Sequence, residues 1–136
     1  MHYQINSIKS ISAKQAATLE QEGIMTSDAL LRAARTPADR RELARNTGIE
    51  EMKIFKWVNY ADLSRIDGLE PGLTALLEQA GITTMLDLRG RSPFSLHSKL
   101  VALNKEHQVV NAVPDMLQMA DIVNHAKSLE PEVSYQ

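Results

Sequence analysis

Cysteine is absent from this 136-residue chain, which excludes disulfides, thiolate metal sites and cysteine nucleophiles. A reducing compartment follows as the simplest reading, and a cytoplasmic address is the expectation. Aromatic residues are scarce at 4%, with Trp57 the only tryptophan. A core built from Leu, Ile, Val, Ala and Met favours helix-on-helix packing over a β-sandwich. No apolar run approaches the roughly eighteen residues of a membrane span, and Met1-His2-Tyr3-Gln4-Ile5-Asn6 lacks the basic-then-apolar pattern of a signal peptide. Strand signals are nearly missing, since Gln108-Val109-Val110 is too short to count. A basic balance is missing too. The net charge is −2 and the pI about 6.1, unlike dedicated non-specific nucleic-acid binders, whose affinity comes from neutralising phosphates.

What the chain does have is an ordinary globular composition, 43% hydrophobic and 24% charged. Its length suits one domain or two small halves sharing a core. Charge is uneven. Residues 32 to 56 carry a local balance of +3, and residues 57 to 88 one of −4. Such alternation is most often a solvated surface.

The most informative feature is internal similarity. A shift of 58 residues aligns Ile8 with Ile66, Ala17 with Ala75, Leu19-Glu20-Gln21 with Leu77-Glu78-Gln79, Gly23-Ile24 with Gly81-Ile82, and Thr26 with Thr84. Beyond this block, Thr36-Pro37 answers Ser92-Pro93, and Trp57-Val58-Asn59-Tyr60-Ala61 answers Ile122-Val123-Asn124-His125-Ala126. Several extra residues fall between about Asn104 and Val113 in the second copy. A period near sixty residues points to a duplicated subdomain, longer than common solenoid repeats.

Each copy reads as four helices. Ser12 caps a helix from Ala13 to Glu22, with Gln15 completing a capping box, and Gly23 supplies the left-handed stop. A short helix is expected from about Ser27 to Arg35. Thr36 caps a third, with Pro37 at its first position and Asp39 complementing the dipole. Gly48 precedes a fourth, near Glu50 to Ser64, whose Ile54, Val58 and Ala61 form an apolar stripe matched by Met119, Val123 and Ala126. In the second copy, helices are expected from Pro71 to Gly81, from Met85 to Arg89, from Ser92-Pro93 to about Leu103, and from Pro114 to about Ser128. Lys105 to Val113 reads as a loop. The expected fold is thus all-α, two tandem four-helix units over residues 7 to 65 and 66 to 128, packed as one body, with a tail from 129 to 136.

Two motifs carry a family resemblance. The segment from Leu63 to Leu88, with Ile66-Asp67-Gly68-Leu69 before a helix and Gly81-Ile82-Thr83 after it, resembles a helix-hairpin-helix unit of the SAM-like kind. The paired arrangement, together with Trp57-Val58-Asn59-Tyr60-Ala61-Asp62-Leu63, resembles the bacterial domain of unknown function family 4332 over roughly residues 7 to 127. That family brings no established activity. The hairpin resemblance implies contact with a sugar-phosphate backbone through N–H groups at a helix N-terminus. Gly68 matches the first hairpin glycine, whereas Glu70 stands where the second belongs. In the first copy Ser10 and Ser12 take both glycine positions, flanked by Lys9 and Lys14.

No catalytic constellation emerges. His2, His97, His107 and His125 have no metal-ligand spacing, and Asp121 with His125 reads as a surface pair. No serine is placed beside a base. Gly68 and Gly72 make no dinucleotide fingerprint, because no strand precedes them. Glu50-Glu51 sit where they stabilise a helix dipole. Trp57 reads as packing, and Met85, Met116 and Met119 as core filler. A chain with no enzymatic activity, metal or cofactor is therefore expected.

Three functional expectations follow. The first is a non-catalytic interaction module docking a macromolecule, most plausibly a protein, through the exposed loops at Ile8 to Ser12 and Ile66 to Glu70. The second is nucleic-acid binding through Lys9, Ser10, Lys14, Arg40, Arg41, Arg45 and Gly68. The third is a small molecule held in the apolar seam between the halves. No membrane partner is expected.

Overall fold

A computed structural model describes residues 3–135, so Met1, His2 and Gln136 lie outside it. Among the described residues the chain is helical throughout: a 3₁₀ turn (Ile5–Ser7), α1 (Ala13–Gln21), α2 (Ser27–Ala33), α3 (Pro37–Thr47), α4 (Glu51–Leu63), α5 (Pro71–Gln79), α6 (Met85–Arg89), α7 (Pro93–His107) and α8 (Met116–Ser128). The one strand-like pairing there is an isolated antiparallel bridge between Gln4 and Thr26.

Local chemistry sets the helix starts. Ser12 Oγ accepts from the Gln15 N–H at 3.1 Å while the Ser12 N–H donates to Gln15 Oε1 at 3.0 Å, a complete capping box. Thr26, Thr36 and Thr84 cap α2, α3 and α6 through the hydroxyl alone, each accepting one first-turn N–H without the reciprocal bond. The ends of α1 and α5 match each other closely. Gly23 and Gly81 stand at φ +82° and +84°, and beyond each an isoleucine N–H returns to a leucine carbonyl, Ile24 to Leu19 and Ile82 to Leu77. Only glycine takes that backbone cheaply.

Packing is organised on the last helix of each half. In the first, α2 and α3 lie on α4; in the second, α6 and α7 lie on α8. Two apolar cores result. One gathers Ile5, Leu19, Leu30, Leu31, Ile54, Trp57 and Val58. The other gathers Leu63, Ile66, Leu69, Leu77, Ile82, Leu88, Met119 and Val123. The two predicted stripes, Ile54–Val58–Ala61 and Met119–Val123–Ala126, are buried as their spacing requires. α4 feeds both cores, Trp57 into the first and Leu63 into the second, and it also touches α6.

Several boundaries differ from the sequence reading. α7 continues to His107 rather than Leu103, and Gln108 stops it in the left-handed region at φ +50°. α2 ends two residues early, at Ala33. α8 starts at Met116, not Pro114, because Asp115 and Gln118 form a capping box one residue further on.

The tail departs most from expectation. It leaves α8 and returns to the first half, where Val133 enters the first core. The Ser134 N–H donates to the Arg35 carbonyl at 2.8 Å, and the Tyr135 hydroxyl donates to Asn59 Oδ1 at 2.9 Å. The Tyr135 ring meets Phe55 edge-on with centroids 5.6 Å apart. Asp62, 1% exposed, accepts from the Glu132 N–H and from Arg65 Nη1, the latter at 2.6 Å.

Candidate functional site

The seven residues proposed from sequence do not form one patch. Arg40 is the clearest correction. It is 3% exposed and donates to the carbonyls of Ala34, Arg35 and Ser134 at 3.1, 2.9 and 2.7 Å. Its guanidinium also lies 4.9 Å from the centre of the Phe55 ring. Burial lowers its pKa from the ordinary arginine value. Successive residues on a helix point about 100° apart, so Arg40 turns inward with Leu43 while Arg41 turns out. Arg40 therefore clamps the tail and is not on the basic surface. Arg45 is exposed but paired with Glu42 at 2.5 Å, leaving Arg41 as the one cation of the three in the open without an acidic partner among the described residues.

The stretch from Ile8 to Lys14 is open at Lys9, Ser10 and Lys14, all exposed. Lys9 and Ser10 line a cleft between the halves, whereas Lys14 lines a separate groove with Thr47, Glu50 and Lys53. The stretch from Ile66 to Gly72 is arranged differently. Gly68 takes φ +85° at its turn, but the segment after α7 folds over the start of α5. A Cβ at Gly72 would stand 3.2 Å from Val110 Cγ1. Asn104 fixes that contact with two 2.9 Å hydrogen bonds to the Val110 N–H and carbonyl. Here a glycine admits the protein's own loop, at the helix start where the hairpin resemblance would place a phosphate. The segment after α7 thus has a position and an anchor. His125, expected to pair with Asp121, instead accepts the Asp67 N–H at its Nδ1, 3.2 Å away. Among the described residues no three His, Asp or Glu side chains gather as a metal site, and no helix is long and apolar enough to cross a membrane.

The DUF4332 family, described as a domain of unknown function, matches residues 9–129. The chain belongs to that family. No curated protein and no solved structure matches this DUF4332 chain.

Two further features of the DUF4332 chain rest on residues that were not grouped from sequence, although a seam between the halves was expected. One is the floor of the cleft between the halves. Ile8, Lys9 and Ser10 face Lys56, Tyr60 and Ser64 of α4 and Pro71, Thr74, Ala75 and Glu78 of α5 around about 100 Å³ of space. Lys56 and Glu78 close one side as a 2.9 Å ion pair. Its walls come from three segments, 8–10, 56–64 and 71–78, so no local pattern announces it.

The other is the outer face of α7. Leu96 and Leu100 bury its inner side, while Phe94 and Val101, 69% and 43% exposed, point outward. Seven residues apart, they share one face. Leu86 on α6 is 55% exposed as well. This signal was legible, because apolar residues on α7 fall on two faces where one stripe suffices for a core.

Proposed function

We propose that this chain is a non-catalytic helical interaction module of the cytoplasm, and that the exposed apolar face of α7 docks a protein partner. Exposed Phe94 and Val101 on one face of α7 carry the reading. Isolated exposed apolar residues are ordinary, whereas grouped ones mark interaction surfaces. Beside them on that face lie His97, Ser98 and Lys105, so the apolar centre has a polar rim, as interfaces do. Support for the non-catalytic part comes from where reactive groups go. The Ser64 and Thr74 hydroxyls donate to the Tyr60 and Glu70 carbonyls, and Glu51 lies in the first turn of α4.

We further read residues 7 to 65 and 66 to 128 as descendants of one helix-hairpin-helix-like unit. Two parallels support it: the constant 58-residue offset of α1 with α5, and the paired left-handed glycines. In the nucleic-acid alternative, Lys9, Ser10 and Lys14 on the open first hairpin would meet the backbone, with Arg41 beside them in charge but on another helix.

The deciding experiment is affinity capture at moderate salt with wild type and a Phe94→Glu/Val101→Glu double variant. A specific protein retained by wild type and lost by the variant, at unchanged melting temperature, is the expected result. Retention by both abandons the α7 face. Binding that appears only with duplex at low salt, and collapses on Lys9→Glu/Lys14→Glu reversal, establishes the alternative instead.

A further inference from the structure

The cleft between the halves has the chemistry of a second, separate site, on elements other than α6 and α7. We propose that it binds a short aliphatic monocarboxylate, with the Tyr60 hydroxyl and the Lys9 ammonium holding the carboxylate and Ile8, Pro71 and Ala75 receiving the chain.

Tyr60 supplies the first observation. The residue is only 5% exposed, yet its hydroxyl has no hydrogen-bond partner among the described residues, and it lines this cleft. No buried side-chain nitrogen or oxygen among those residues is both sealed and unpartnered, so the hydroxyl opens to accessible space. A phenol that deeply buried ordinarily finds an acceptor, and none of the protein's groups there supplies one. Ser64 and Thr74 are already committed to backbone carbonyls at 2.8 and 3.2 Å.

Charge supplies the second. Lys56 and Glu78 neutralise one another across the cleft, and Lys56 also sits 5.9 Å from the centre of the Tyr60 ring. Lys9 is left over. It is exposed, has no acidic partner among the described residues, and makes only a 3.4 Å donation to the Val109 carbonyl. One uncompensated positive charge suits a monoanion. A cationic ligand would meet two ammonium groups.

Size supplies the third. About 100 Å³ is less than the roughly 150 Å³ apolar cavity that accepts benzene, which leaves space for an aliphatic tail of roughly three to five carbons. Pentanoate fits.

The test is a titration of the full, isotope-labelled chain with sodium pentanoate, followed by amide chemical shifts. Saturable shifts are expected at Lys9, Tyr60 and Ala75. Acetate, lacking the three further carbons of the tail, should bind roughly fiftyfold more weakly, the scale of a few buried methylenes, and pentanol, lacking the charge, about tenfold more weakly, the scale of one charge-assisted hydrogen bond. Tyr60→Phe and Lys9→Gln should each weaken pentanoate by about tenfold. Lys9 is exposed, so its variant reads the site even if the Tyr60 variant folds poorly. Absence of saturable shifts, equal binding of pentylamine, or unchanged affinity in Lys9→Gln overturns the proposal.

Discussion

α3 and α7 hold corresponding places, each packed on the last helix of its half, and they turn different surfaces outward. α3 shows Asp39, Arg41, Glu42 and Arg45 to solvent, while α7 shows Phe94 and Val101 along one stripe beside Ser98, Lys99, Lys105 and Glu106. Coverage separates the halves as well. The tail completes the first core with Val133 and draws Arg40 into a buried clamp, but α7 retains an exposed apolar face. Similar packing therefore did not bring a similar surface with it: core positions are tied by shape, outward positions are free to diverge.

Three experiments probe how far the halves really differ. The largest effect is expected from Leu19→Ala and Leu77→Ala, fully buried residues 58 positions apart. Each should cost about 3 kcal/mol, as buried leucine truncations do. Because α4 enters both cores, each variant should lower one shared denaturant transition. Trp57 fluorescence reports the first core and far-UV circular dichroism the whole chain. Loss of coincidence between them in Leu77→Ala alone would reveal independently unfolding halves.

Removal of residues 130–136 should cost less, about 2 kcal/mol. Lost burial of Val133 and the unmet Arg40 donors are partly offset by chain freed from ordering. Its melting curve should shift without losing the second core's helicity. A variant as stable as wild type would show that the strap contributes nothing to the first half.

The smallest effect concerns pH. Burial pushes the Asp62 carboxyl above its ordinary value, against Arg65 and the Glu132 N–H, which hold it down. A carboxyl raised by folding favours the protonated fold. Its contribution is full below the unfolded value and is lost as pH climbs through the folded one. Wild type should therefore lose stability relative to Asp62→Asn as pH rises through the carboxylate range, measured by denaturation at a series of pH values. A gap that widens in wild type's favour would mean that the Arg65 pair outweighs burial.

The helices were largely legible because their signals are local. Ser12 with Gln15, Thr36 before Pro37, and Gly23 and Gly81 after the last turn each act within a few residues. Errors fell where a competing cap lay one step away, as at Asp115. The candidate sites were less legible. Arg40 and Arg41 are adjacent cations in sequence, and only the direction each takes from α3 separates a clamp from a surface charge. Tyr60 drew no functional reading of its own from sequence, because the cleft it lines exists only once α5 lies beside α4.

Sequence by itself determined the helical class, the caps, the 58-residue offset and the buried stripes, since backbone hydrogen bonding and helical periodicity are short-range. Tertiary structure decided that the tail crosses the first half, that Val110 lies against Gly72, and that Lys9 shares a cleft with Tyr60. Those contacts join residues 38 to 99 positions apart, some of them through side chains such as Lys9 and Arg40 that are equally at home in water. Periodicity says nothing of them, because they are set by how whole helices stack.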